Sequence, residues 1–285
     1  MNCYLCNSKD FVPRKGKVRD MPSLTVIECS SCGLVTLSSS DHIRSGFYED
    51  SRMHGETLPS MEEWLQTTSW DDDRRFEMLQ VSIANKKILD FGSGAGGFLD
   101  KARALAGKVA GVEPERRVRN HWQGQFPMYE NLEEADGKYD LITAFHVVEH
   151  LQDPRAILGK MASKLEKNGR LVIEVPNAED ALLTLYDSPS FQSFTYWSQH
   201  LYLFNAATLS TLAHQAKLRV ISIQQWQRYP LSNHLHWLSA GRPGGHDKWG
   251  FLDSPQLKQA YAAALAAIGK SDTLVAYLEP EYANT

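Results

Sequence analysis

The run "ILDFGSGAGGFLD", residues 88–100, sets four glycines between two apolar segments. Upstream, "KKILDF" has the short apolar pattern of a buried strand. Downstream, Phe98, Leu99, Ala102 and Leu105 recur on one helical face that ends near Gly107. A glycine loop between strand and helix lets the backbone lie against a ligand. Two patterns overlap in it: Gly92, Gly94 and Gly97 fit the dinucleotide spacing G-x-G-x-x-G, and Gly92, Gly94 and Gly96 fit G-x-G-x-G. The loop alone does not choose between a pyrophosphate and a ligand without phosphate. Asp90, two residues before the first glycine, tips the balance, because an acid there anchors an amino or ammonium group and repels a pyrophosphate.

From Lys86 onward strand-like and helix-like segments alternate. "KVAGVEP", "PMYENL", "YDLITAF", "RLVIEVPN", "RVISIQQW" and "TLVAYLEP" read as further strands. Asp153 caps a helix with Pro154 in its first turn, carrying Ile157, Leu158, Met161 and Leu165 and expected to stop at Asn168–Gly169. Asn205 caps another, with Phe204 placed to staple on Leu209, and an alanine-rich helix covers residues 255–268. Strands alternating with helices predict a doubly wound α/β fold, a mostly parallel sheet covered on both faces.

The chain has 285 residues, 42% of them apolar, with 30 basic and 34 acidic side chains for a net charge of -4. That balance disfavours a broad nucleic-acid footprint; the one basic stretch is "KDFVPRKGKVRD". No apolar run approaches the ~20 residues a bilayer span needs, and the N-terminus lacks an apolar signal core, so a cytoplasmic location is the expectation. Oligomeric state is not read from these features.

The four cysteines, Cys3, Cys6, Cys29 and Cys32, fall as two C-x2-C pairs separated by twenty-two residues. A redox pair or scattered core cysteines are the bland readings. Paired thiolates from tight turns suit a closed, structural zinc shell better. The expected organisation is a zinc ribbon over 1–38, a helical connector or cap over 39–85, and an α/β domain over 86–285. A lid-like loop insertion is expected around 229–252, where His234 and His236 alternate without an acid at ligand spacing.

The run from about 86 to 225 resembles the class I S-adenosylmethionine-dependent methyltransferases. The resemblance rests on "ILDFGSGAGGF", "GVEP", "YDLITAFHVVEHLQDP" and "LVIEVPN" in that order. It implies a seven-stranded Rossmann-like sheet and S-adenosylmethionine as cofactor. It places Gly92, Gly94 and Gly96 along the amino-acid moiety, Glu113 on the ribose hydroxyls, Asn131 and Leu132 near the adenine, and Phe145 and His146 beside the sulfonium. Asp90, Phe91 and Pro114 complete the expected cofactor set.

For the acceptor, the segment after "VIEVPN" is dense in aromatics, and packing under a loop explains any one of them equally well. Tyr196, Trp197, Gln199 and Tyr202 are the candidate substrate contacts. With the four-cysteine segment, "QHLYLF" resembles the deoxysugar methyltransferases, whose carbon-methylating members carry Glu-His before Leu-x-x-Phe. Here Gln199 replaces the Glu, and the further C-terminal domain of those enzymes is not expected within these 285 residues. The resemblance makes His200 the candidate base, with His146 and His150 as alternatives. The acceptor it implies is a small molecule, a hydroxyl of a nucleotide-linked sugar or glycan precursor. An RNA methyltransferase gripping substrate through the ribbon, and sugar carbon methylation, are the rival readings.

Overall fold

Apolar runs became strands wherever both faces could be covered. A computed structural model describes residues 1–43 and 58–281. The large sheet is built from β4 (Lys87–Phe91), β5 (Lys108–Val112), β6 (Met128–Tyr129), β7 (Tyr139–Phe145), β8 (Leu165–Pro176), β10 (Leu218–Trp226) and β11 (Thr273–Pro280). Their order is β10-β11-β8-β7-β4-β5-β6, with β11 antiparallel to both neighbours and β4 through β8 parallel. The centre of the sheet is dry: Ile88, Leu89, Leu141, Ile142 and Ile173 are all buried. This is the seven-stranded, Rossmann-like sheet expected for a methyltransferase.

The helices are α1 (Met61–Ile83), α2 (Gly97–Ala102), α3 (Arg116–Trp122), α4 (Pro154–Ser163), α5 (Ala181–Thr184), α6 (Pro189–Thr195), α7 (Ala206–Gln215), α8 (Leu231–Ala240), α9 (Gly245–Lys248) and α10 (Pro255–Ala267). A capping box between Ser60 and Glu63 starts α1, a device contributing about 1 kcal/mol. Leu79 and Ile83 at its far end pack with Ile88, Phe98 and Leu99, so α1 is fixed across the first strand-helix unit. Within the expected connector, residues 44–57 lie outside the described residues, as do the last four of the α/β domain.

Cys3, Cys6, Cys29 and Cys32 sit at the turns of a small sheet made of β1 (Phe11–Pro13), β2 (Val26–Cys29) and β3 (Val35–Leu37). Its fourth strand, β9 (Tyr202–Leu203), comes from the α/β domain and pairs antiparallel with β3. Gln215 Nε2 donates to Leu5 O at 2.8 Å, and Ser198 Oγ donates to Asp20 at 2.7 Å, locking the two parts together. The ribbon is therefore docked through shared strand pairing and one continuous apolar core.

Two local expectations are corrected. The helix after Asp153 stops at Ser163, and the chain is already strand at Leu165, which pairs with Tyr139. Asn168 and Gly169 lie inside β8, where the register slips between Tyr139 and Leu141 and Gly169 passes close to Tyr139 O. Residues 229–252 are mostly helical, with α8, α9 and a 3-10 turn at Gly250–Leu252, and do not form an open loop. Pro230 is the N-cap of α8 and Gly241 its left-handed C-cap (φ 66°), so the punctuation brackets a helix. His234 and His236 both lie on α8 and are buried, His234 bonded to Tyr261 at 2.7 Å and His236 to Arg242 O at 2.8 Å.

Candidate cofactor cavity and its histidine edge

Each loop glycine has a separate reason. Gly92 (φ 72°), Gly94 (φ 52°) and Gly96 (φ 84°) all adopt left-handed backbone, where a side chain is strained. A Cβ on Gly92 would meet Val147 Cγ2 at 2.4 Å, and one on Gly96 would meet Trp122 Nε1 at 2.3 Å. On Gly94 the nearest atom would be Trp64 Cζ2 at 3.6 Å. Gly92 and Gly96 therefore serve packing, while Gly94 keeps the loop bare where it faces a cavity of about 440 Å³.

All ten expected cofactor residues line that cavity: Asp90, Phe91, Gly92, Gly94 and Gly96 from β4 and its loop, Glu113 and Pro114 after β5, Asn131 and Leu132 after β6, and Phe145 closing β7. Glu113 accepts from Gly94 N at 2.9 Å and from Glu115 N at 3.0 Å. Asp90 accepts from Thr143 Oγ1 at 2.6 Å. Burial pushes both carboxyls up to about 7.

The wall the sequence reading missed comes from α1. Trp64, Thr68, Asp71, Asp72 and Arg75 also face the cavity. Behind them Glu174 is fully buried and accepts from Arg74 Nη2 at 2.8 and 2.9 Å and from Arg75 Nη2 at 2.9 Å. Arg228 pairs with Asp71, and its Nη1 lies 3.2 Å from His146 Nε2. Burial opposes the Glu174 charge, but Arg75, His146 and Arg74 hold it well below the usual carboxylate range. For Asp71 likewise, Arg228 and Arg75 outweigh burial and keep the carboxyl low. The signals were present: "WDDDRR" at 70–75 packs opposite charges at helical spacing, and Glu174 is an acid inside an apolar strand.

The lining is acidic. Asp71, Asp72, Asp90, Glu113, Glu130 and Glu133 face it, against Arg75 as the permanently charged cation. Such a set suits a cationic, phosphate-free ligand and disfavours a pyrophosphate. S-adenosylmethionine fits: it carries an ammonium and a sulfonium, and the bare Gly94 backbone leaves room for it.

The histidines divide. His146, at φ 54°, bonds Glu149 Oε1 through Nδ1 at 3.2 Å and Glu174 Oε1 through Nε2 at 3.1 Å. Burial works against its cation, yet the two carboxylates raise its pKa. His146 and His150 line the cavity; His200 does not. His200 stands next to His150, ring centroids 5.0 Å apart, and burial beside His150 pushes its pKa down to about 3. The expected substrate contacts are also placed away from the cavity lining. Tyr196 is buried under Gly16, and Trp197 stacks beneath Arg19 at 4.6 Å. Gln199 offers its carbonyl to His150 Nδ1 at 2.8 Å, and the Tyr202 hydroxyl donates to Gln152 O at 3.3 Å.

At the ribbon the four sulfurs all lie within 4.8 Å of one another, with Cys3–Cys32 and Cys6–Cys29 both at 3.5 Å. Zinc bound at about 2.3 Å to four sulfurs sets them about 3.8 Å apart, so the set fits with small adjustment. Burial opposes ionisation of Cys29, but amides of Cys32 and Ser31 and the neighbouring thiols bring it down to about 7, whereas burial drives Cys32 up. Four thiols converging on one point suit a cation that takes them up as thiolates.

Comparison with known proteins agrees with this geometry. A family described as a methyltransferase domain matches residues 61–223, from the start of α1 into β10. The chain is 28% identical over 123 residues to a ubiquinone biosynthesis O-methyltransferase of Acinetobacter baumannii, covering 38% of this chain and 49% of that protein. It thus spans about half the length of the curated relatives it matches. Among solved structures, a chain from the complex with the Haloferax volcanii Trm112 methyltransferase activator superposes with TM-score 0.54 at 12% identity, covering 84% of this chain and 99% of that one. A SAM-dependent methyltransferase from Archaeoglobus fulgidus gives TM-score 0.51 at 18% identity, covering 75% and 97%. With more than half its length matched to that family, and with an acid-lined cavity beside the glycine loop on the seven-stranded sheet, this chain belongs to the S-adenosylmethionine-dependent methyltransferase-domain proteins.

Proposed function

We propose that the protein moves the methyl group of S-adenosylmethionine to a hydroxyl of a small molecule. The observation that carries this is the cavity itself: a glycine loop bare at Gly94, an acidic lining, and a histidine edge at His146 and His150. When bound, S-adenosylmethionine supplies an electrophilic methyl on a sulfonium. Glu113 offers carboxylate oxygens to hydroxyls of the cofactor, and Asp90 with the acids of α1 balances its positive charge. Phe145 and His146, at the end of β7, face the same space. The acceptor hydroxyl sits at the histidine edge, where His150 takes its proton as the new carbon–oxygen bond forms and the sulfur–carbon bond breaks.

The role of base expected for His200 passes to His150, because of these two only His150 lines the cavity. The matched relative is named for O-methylation in ubiquinone biosynthesis, which favours a hydroxyl acceptor. A sugar hydroxyl draws support from the "HLYLF" resemblance and the four-cysteine ribbon alone. At the ribbon, zinc held by the four cysteines is structural, since four thiolates leave no open position.

The test is release of S-adenosylhomocysteine with a panel of phenols, catechols, free sugars and nucleotide sugars, alongside structured RNA at several salt concentrations. Turnover on a hydroxyl compound is the expected result. Methylation confined to RNA, weakening steeply with salt, overturns the small-molecule reading.

A further inference from the structure

The end of the large sheet opposite the glycine loop carries a second cleft, of about 540 Å³. Lys87, Lys108 and Tyr139 are the first residues of β4, β5 and β7, and all three line it. The glycine loop leaves β4 at its other end, and β4 has five residues, or about 16 Å at roughly 3.3 Å per residue. The cleft is thus separate from the cofactor cavity, and its charge is reversed. Lys87, Arg103, Lys108 and Lys138 line it against Asp136 alone, in a chain whose net charge is -4.

Two of these cations are left unneutralised. Lys87 and Lys108 are register partners across the parallel pair β4–β5. Paired residues of strands about 4.8 Å apart point to the same face, so two ammonium groups leave the sheet side by side and repel. Both residues are exposed, and among the described residues neither forms an ion pair. Asp140, which accepts from the Lys87 amide at 2.8 Å, is paired with Lys86 at 3.6 Å instead. Arg103 is shared between Asp100 and Gln125, and the Lys138 ammonium rests on Ser163 O. Beside the lysines the wall is apolar and flat. Phe126, fixed by its stack on Trp122 at 4.8 Å, and Tyr129 both face the cleft.

We propose that this cleft binds a small organic phosphate, with the phosphoryl group between Lys87 and Lys108 and a flat apolar body against Phe126 and Tyr129. A dianion there turns the repulsion into two charge-assisted contacts, and lysine serves such a group as a movable point charge. The aromatic wall favours an ester of a flat, apolar alcohol over the bare ion. Asp136 and the already paired Arg103 leave charge for one phosphoryl group, not for the run of phosphates in a nucleic-acid strand. No bond is made or broken here, and the site does not rest on the methyl-transfer reading.

The test is calorimetry of the full, zinc-loaded chain with phenyl phosphate and with inorganic phosphate. One saturable site for phenyl phosphate is expected, at least about tenfold tighter than for inorganic phosphate. The double substitution Lys87→Gln with Lys108→Gln should weaken phenyl phosphate at least about tenfold and leave S-adenosylmethionine binding as in the wild type. Without ligand, Lys108→Gln should melt no lower than the wild type, because removing one charge ends the repulsion. A lower melting temperature would mean that the lysines are already satisfied within the fold, and would count against the site. Absence of saturable binding in the wild type would overturn it, as would equal affinity for the two phosphates. Binding retained in the double variant would place the ligand elsewhere and equally overturn it. So would structured RNA that binds through these lysines, with steep salt dependence, where phenyl phosphate does not. If phenyl phosphate binds as expected and S-adenosylmethionine does not bind at all, the cleft stands and the cofactor reading falls.

Discussion

Replacing Gly94 and Gly96 one at a time by alanine separates the two jobs of the glycine loop. Both positions are left-handed, so each alanine costs roughly 1–2 kcal/mol of backbone strain. At Gly96 the new methyl also runs into Trp122 at 2.3 Å. Trp122 cannot yield easily: it is buried, stacks on Phe126 at 4.8 Å and donates to Ala95 O at 2.8 Å. Overpacking of that kind adds about 1–3 kcal/mol, for a total of roughly 2–5 kcal/mol. At Gly94 the nearest atom is 3.6 Å away, so strain is the whole cost. In thermal melting of the cofactor-free protein Gly96→Ala should therefore fall well below Gly94→Ala, at roughly 2–4 °C per kcal/mol for a chain of this size class. Calorimetry should show the reverse for S-adenosylmethionine: Gly94→Ala loses at least about tenfold in affinity, about 1.4 kcal/mol, because its methyl points into the cavity. Equal destabilisation of the two variants, with cofactor affinity intact in Gly94→Ala, would refute the division of labour and leave the glycines as turn residues only.

Further outcomes follow from the charges and the cysteines. Asp90 and Glu113 are raised by burial from 3.8 and 4.5 to about 7. The folded, cofactor-free protein thus holds protons there that the unfolded chain has released, and its stability from these groups falls as pH rises from about 4 to about 7. A cationic ligand favours the ionised forms, so S-adenosylmethionine affinity should rise between pH 6 and pH 8 with proton release on binding; a flat calorimetric profile would contradict this. Glu174→Ala should destabilise by about 3–5 kcal/mol in urea unfolding, because it strands the buried Arg74 and Arg75 charges. The carboxylate's own contribution is present above its ordinary pKa and lost in acid, so the gap between wild type and Glu174→Ala should narrow as pH drops below about 4. Cys29→Ser should lower zinc content and loosen residues 1–37, read by metal analysis and limited proteolysis; full zinc retention would reassign the ribbon site.

Much of the fold was legible because burial writes itself as apolar runs. "KKILDF", "YDLITAF" and "RLVIEVPN" could be little but central strands, and the Asn205 and Asp153 caps marked helix starts that the structure keeps. The loop and its flanking acids were legible because one contiguous stretch holds them. The wall from α1 was not, since a helix some twenty residues upstream gives no local sign of which face it turns to a cavity. Its charge-dense "WDDDRR" reads equally well as a solvated face until Glu174 is found opposite it. The histidine edge was half legible. His150 and His200 are fifty residues apart, and their approach depends on β9 joining the ribbon sheet at β3. Residues 229–252 were misread because Pro230 and Gly241 suggest a loop by composition, while in place they cap α8 and bury His234 against Tyr261.

The most direct measurement is calorimetric titration of the purified chain with S-adenosylmethionine, S-adenosylhomocysteine and NAD under one buffer condition. The geometry of Asp90, Gly94 and Glu113 calls for one site that takes both adenosyl compounds, loses affinity in Glu113→Ala by about 2 kcal/mol, and does not take NAD. Tight binding of NAD, with no heat from either adenosyl compound, would contradict the reading of this cavity.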